Sequence, residues 1–302
     1  MTAKKMRDAL LGLLCGMAAA VAATGCIKDD LSGCAETRHL TVRAYARQGD
    51  ARELGTDEVK DVKLFLFDGD GRFLRGIDTR VGERVGVDIP PGETVRVVAW
   101  GNLGQDGQSH TQPGEGDMLG GCLVGLLRDV RSPEHSLPPA DLFRGDIVLA
   151  DPSGAGETAL PIYREVGGMA VTVRNLKAFA GFPDDDYRVV VRGTFSGIAF
   201  DGRRSGDGAS YQPVGAFSPG VNNPDHLTPP FNLIPEEEEE SGVTIDIYHG
   251  DRLVASVSCD GEGNPIMVEK GRLTNVLVDL RASVLATLSL TDWGNYVAWK
   301  EF

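Results

Sequence analysis

Cys26 is the residue whose surroundings most directly specify a covalent reaction. Residues 1–25, MTAKKMRDALLGLLCGMAAAVAATG, open with Lys4, Lys5 and Arg7 and then run apolar from Ala9 to Ala23. Basic residues ahead of a short apolar run form a secretory signal. Ala23, Thr24 and Gly25 lead directly into Cys26, an arrangement similar to the bacterial lipobox. Cleavage between Gly25 and Cys26 is therefore expected, with Cys26 receiving a covalent lipid such as palmitate. The apolar run falls short of the ~20 residues that span a bilayer. Two or three acyl chains hold a protein stably, because each buried CH₂ contributes ~0.8 kcal/mol and a single chain is marginal. The expectation is a chain attached to a membrane without crossing it.

The remaining chemistry-bearing residues form no comparable constellation. Cys34, Cys122 and Cys259 are widely spaced, with no CxxC pair to share a metal or shuttle electrons. His39, His110, His135, His226 and His249 stand singly. There is no GxSxG elbow, no GxxxxGK[ST] loop and no HExxH. No enzyme activity is expected, and no cofactor beyond the lipid on Cys26. Asp68-Gly-Asp-Gly reads as a turn rather than a calcium loop, which needs more liganding positions over 12 residues. The runs Glu236–Glu240 and Asp184–Asp186 read as self-repelling, extended loops. Trp293, Tyr296, Val297, Trp299 and Phe302 make an aromatic tail. Such residues stack on sugars, but they also suit a closing or exchanged β-strand, and the strand is the expectation.

Positioning these features falls to β-structure. The chain of 302 residues has 39 Gly and 16 Pro, which suits many turns and disfavours a helical bundle. HLTVRAYAR (39–47) alternates with the period of a half-buried strand. VKLFLFD (62–68) and RFLRGI (72–77) flank Asp-Gly turn chemistry and predict a hairpin. VGVDI (85–89) and TVRVVAWGN (94–102) come next, and MLGGCLVGLL (118–127) reads as a short helix. Further strand patterns run from LFRGDIVLA (142–150) to ATLSLTDW (286–293). Short strands at this spacing predict an all-β chain of two β-sandwiches. The expected division is a signal at 1–25, a lipidated linker at 26–37, an N-terminal sandwich at 38–152 and a C-terminal sandwich with an extended tail at 153–302. Net charge is −14, and loss of Lys4, Lys5, Arg7 and Asp8 with the signal takes it to −16. A nucleic-acid partner, which needs clustered basic residues, is not expected.

Several of these strings occur together in one family. CIKDDLSGC (26–34), VKLFLFD with DGRF after it, VVAWGN (97–102) and LSLTDW (288–293) resemble the FimB/Mfa2 family of fimbrial anchor lipoproteins of the Bacteroidales. Lys28, Asp29 and Asp30 resemble the surface-export signal of Bacteroidetes lipoproteins. The resemblance implies two tandem transthyretin-like Greek-key sandwiches and a lipid anchor in the outer membrane. It also implies a surface-exposed role at the base of a type V pilus, attaching it and limiting its length. Its partner would be a fimbrial shaft subunit, the pilin, joined by β-strand exchange through the tail. In shaft subunits of this class an Arg-directed protease removes the first strand, and Arg47 and Arg52 lie just after the first strand here. A tip or shaft subunit, or a glycan-binding surface lipoprotein, is the alternative reading.

Overall fold

The computed structural model describes residues 36–150, 157–219, 223–235, 242–281 and 284–295. Its strands, in chain order, are β1 (Glu36–Tyr45), β2 (Glu53–Leu54), β3 (Val62–Phe67), β4 (Phe73–Thr79), β5 (Arg84–Ile89), β6 (Thr94–Gly101), β7 (Gln108–His110), β8 (Leu123–Leu126), β9 (Arg128–Asp129), β10 (Ser132–Ser136) and β11 (Phe143–Ala150). The second half adds β12 (Glu157–Arg164), β13 (Gly167–Arg174), β14 (Tyr187–Ala199), β15 (Arg204–Tyr211), β16 (Ala216–Phe217), β17 (His226–Leu227), β18 (Phe231–Leu233), β19 (Thr244–His249), β20 (Arg252–Val257), β21 (Arg272–Leu280) and β22 (Val284–Asp292). The single α-helix among the described residues is α1 (Leu176–Ala180), so the chain is all-β as its turn-rich composition predicts.

The first sheet runs β2-β1-β12-β11-β6-β3-β4, with β5 also on β1. Its two halves are joined where Phe143 and Arg144 of β11 meet Arg164 and Tyr163 of β12. They face one another across a core of Leu40, Val42, Leu64, Leu66, Val95, Val97, Leu160 and Ile162. Two further sheets, β16-β17-β13-β21-β22 and β20-β19-β14-β8-β7, enclose a second core built on Val171, Val189, Ile245, Ile247, Val276 and Val278. Sheet membership crosses the expected 152/153 division in both directions. β12 pairs in parallel with β1, and β8 pairs with β14.

A third core joins these layers. VKLFLF and TVRVVAW are nearly continuous apolar runs because β3 and β6 are buried on both faces. Leu64, Leu66, Val95 and Val97 serve the first core. Phe65, Phe67, Val98 and Trp100 turn the other way, onto Val124, Ile198 and Phe200. The ring centroids of Phe65 and Phe200 lie 4.6 Å apart, and those of Trp100 and Phe200 5.8 Å. Each such side chain gains roughly 1.5–3 kcal/mol on burial.

The hairpin of β3 and β4 forms as its turn chemistry predicts. Asp68 closes it by accepting the backbone N–H groups of Asp70 and Arg72 at 3.0 and 2.8 Å, while Gly71 supplies a φ of 82°. Segment 118–127 differs from the expected helix: it is a 3-10 turn, Leu119–Gly121, running into β8. Gly120, Gly121 and Gly125 weaken a helix, and β14 supplies an edge that a strand can pair with. Asp184–Asp186 is pinned rather than extended by repulsion. Asp184 accepts from His249 at 2.8 Å, and Asp185 pairs with Lys177 at 2.5 Å. Glu236–Glu240 lies outside the described residues.

His226 on β17 is 2% exposed and packs edge-on against Phe217. Gly215 leaves it room, since a Cβ there would lie 2.2 Å from the imidazole. Burial depresses its pKa from 6.5 to about 4, against a smaller opposing pull from Asp185. The unfolded chain therefore takes up a proton between pH 6.5 and 4 that the folded chain refuses. Stability from this group is full above pH 6.5 and falls by about 3 kcal/mol as the pH drops to 4. Urea midpoints at pH 7 and about pH 4.5 should show this loss in the wild type and a smaller one in His226→Leu. Equal losses would acquit His226.

Candidate functional site

Two terminal strands and the turn after the last of them make up the site. β1 lies inside the first sheet rather than at its rim. On one side it pairs in parallel with β12 from His39 to Tyr45. On the other it pairs with β5 from Glu36 to Thr41 and with β2 at Ala44 and Tyr45. Leu40, Val42 and Ala44 are fully buried, as the alternation of 39–47 predicts. Both arginines beyond it are engaged: Arg47 with Asp50 at 3.2 Å, and Arg52 with Glu58 at 2.8 Å.

β22 is an edge strand. It pairs with β21 along its whole length, and no described strand adds to its outer side. Leu285 and Leu290 are 46% and 43% exposed. The same strand turns Ala286 and Leu288 onto the second core. An unpaired edge carrying exposed leucines is a template for another extended segment.

Trp293 comes next and is folded back. Its indole stacks on the Arg164 guanidinium, 4.3 Å from carbon to centroid, and packs against the third core. Arg164 is 4% exposed, lies 5.1 Å over the Phe143 ring and donates from Nε to Asp141 at 2.6 Å. Burial raises the pKa of Asp141 even though Arg164 opposes the shift. The indole closes one side of a 480 Å³ cleft that Arg47, Asp50, Arg52, Glu58 and Asp292 also line. The sequence groups Trp293 with the tail. The structure gives it a fixed place at the end of β22, with one face covered by Arg164, a distant partner that no local pattern reveals.

The other tail residues, Tyr296, Val297, Trp299 and Phe302, lie outside the described residues, as do Gly25, Cys26, Lys28, Asp29 and Asp30. Cys122 and Cys259 are free thiols, the first buried and the second exposed. No helix among the described residues is long and apolar enough to cross a membrane.

Residues 31–298 match the family described as fimbrillin-A associated anchor proteins Mfa1 and Mfa2. The chain is 25% identical over 298 residues to the major fimbrium anchoring subunit FimB of Porphyromonas gingivalis strain W83, covering 92% of this chain and 93% of that protein. A second P. gingivalis FimB is 26% identical over 289 residues, covering 89% and 90%. The solved structure of the fimbrial anchor protein Mfa2 from P. gingivalis superposes with a TM-score of 0.62 at 13% identity, covering 86% of this chain and 98% of that one. The last comparison bears on fold, which it supports over both halves of the chain.

Proposed function

From the premise that this chain belongs to the Mfa2 family of fimbrial anchor proteins, we propose that it is an outer-membrane lipoprotein that fastens a type V pilus to the cell surface. Signal cleavage between Gly25 and Cys26 leaves a lipidated Cys26 as the N-terminus, and Lys28-Asp29-Asp30 directs the product to the outer face. The chain's end, residues 296–302, which follow the turn after β22, joins the first pilin by strand exchange.

The observation that carries the reading is the position of β1. A sandwich that keeps its own inner strand, hydrogen-bonded on both sides, has no groove at the β1 position for a neighbour's strand. A subunit able to give a strand but not to receive one ends a polymer. That accounts for attachment and for a limit on length with one device. A shaft subunit must do both, so the reading requires that β1 is not cut away after Arg47 or Arg52.

Deleting residues 296–302 tests it. The truncated protein should reach the surface in normal amount while most pili appear in the medium, measured by pilin immunoblots of cell and supernatant fractions. Pili retained on the cells at the wild-type level would remove the tail from the coupling.

A further inference from the structure

We infer that the cleft closed by Trp293 is a binding site for a neutral, polyhydroxylated ring, a hexose unit of a glycan, held by Arg164 and Asp292. The site is distinct from the joining proposed for the tail, and either can fail without the other.

The floor of the cleft is a guanidinium with unused donors. Arg164 ends β12, and its side chain is 3% exposed. The Trp293 and Phe143 rings lie 4.3 and 5.1 Å from it. Asp141 accepts from Nε at 2.6 Å, which fixes the direction of the planar fork. The two terminal amino groups donate to no described residue. Neither is sealed from solvent, and Arg164 lines the cleft, so these groups face into it. Of the five N–H donors of a guanidinium, four are therefore held in place without an acceptor.

Asp292 supplies the opposite function. It is the last residue of β22 and lines the same cleft. Among the described residues, its carboxylate has no cation and no hydrogen-bond donor. An ionised carboxylate only accepts. The other charges are matched: Arg47 pairs with Asp50 at 3.2 Å, Arg52 with Glu58 at 2.8 Å, and Arg164 with Asp141. Asp292 thus leaves the cleft with one negative charge in excess. An anionic ligand is repelled by it, and a cation meets the Arg164 donors. A neutral molecule that both donates and accepts satisfies the two ends together, and a hydroxyl does so with a single atom. Trp293 adjoins both groups, next to Asp292 in the chain and stacked on Arg164. Its half-buried indole adds an apolar wall for the C–H groups of a ring.

The space is of the right kind and is built in. Its volume of 480 Å³ falls among small-ligand sites, which run from roughly 300 to 1,000 Å³. Gly271, on the far wall, has a φ of 70°. A Cβ there would lie 2.4 Å from the Ala46 carbonyl oxygen, so the residue before β21 presses against the residue after β1. A peptide backbone also carries donors and acceptors, but it follows a strand edge. The strand at this cleft, β2, is two residues long.

Calorimetric titration of the purified full chain with the methyl glycosides of glucose, galactose and mannose tests the inference. At least one should bind, and its uronic acid counterpart should bind at least tenfold more weakly. Asp292→Ala, a change at an exposed residue, should weaken binding at least tenfold while the thermal midpoint stays put. Arg164→Lys keeps the charge and loses the fork, and should weaken binding as much; if it unfolds, Asp292→Ala carries the test. Absence of binding to all three glycosides, or an unchanged affinity in Asp292→Ala, overturns the inference. Tighter binding of the uronic acid means that the site takes a carboxylate and overturns it too. A chain ending at Asn295 should bind as the full chain does. Binding seen only after that truncation would give the cleft to the chain's own end and sink the proposal.

Discussion

Cys26→Ala should move the protein from the membrane fraction to the soluble envelope fraction and the medium, with no residual attachment. The size of the effect comes from what else could hold the chain. No described helix is long and apolar enough to cross a bilayer. The net charge of −14, which would become −16 on the proposed loss of residues 1–25, repels anionic surfaces. On the proposed lipidation of Cys26, two or three acyl chains, at ~0.8 kcal/mol per buried CH₂, would account for stable attachment by themselves. Wild-type protein should therefore resist extraction by high salt and alkali and dissolve only in detergent. The variant should keep its fold and lose its lipid, which mass spectrometry of the N-terminus reads directly. A variant that still sediments with membranes would overturn the lipoprotein assignment. A wild-type terminus beyond Arg47 would overturn the proposal that β1 stays in place.

What the sequence discloses and what it withholds divide along a physical line. Local periodicity is legible, and the burial of Leu40, Val42 and Ala44 together with the β3–β4 hairpin obey it. Pairing between distant segments leaves no such trace. β1 and β12 lie far apart in the chain and meet in parallel, and nothing in either string names the other. The division expected at 152/153 does not anticipate this, because turn-forming residues mark a loop, not the sheet to which the next strand returns. The apolar spacing of 118–127 imitates a helix, yet β14 offers hydrogen bonds that a strand can take. Trp293 belongs with the end of the chain, as its position says, but its stack on Arg164 is tertiary and illegible. So is the open edge of β22. Leu285 and Leu290 look in sequence like any core leucines, and only the sheet order shows that no described strand covers them. The site is thus half legible, in residue type but not in arrangement.

Trp100→Ala should cost about 3–5 kcal/mol, the range for deleting a fully buried large aromatic. Trp100 is 0% exposed and lies with Val98, Phe65 and Phe200 in the core that joins the layers. At about 2 °C per kcal/mol for a chain of this size, the midpoint should fall by about 6–10 °C. Its indole N–H has no hydrogen-bond partner, so Trp100→Phe gives up no bond and should cost far less. The contrast isolates shape from polarity. Trp293→Ala, at a half-buried position, should fall between the two. The consequence reaches beyond stability. In the proposed anchor role, load would pass from the start of β1 to the end of β22, and the third core joins the layers that carry those strands. Wild type should unfold in one calorimetric transition because the cores share strands β3, β6 and β14. Trp100→Ala should broaden it or split it in two, with pili shed under shear at flow rates the wild type withstands. A cost under about 1 kcal/mol with a single sharp transition would mean that the third core is incidental and that the first and second cores hold independently.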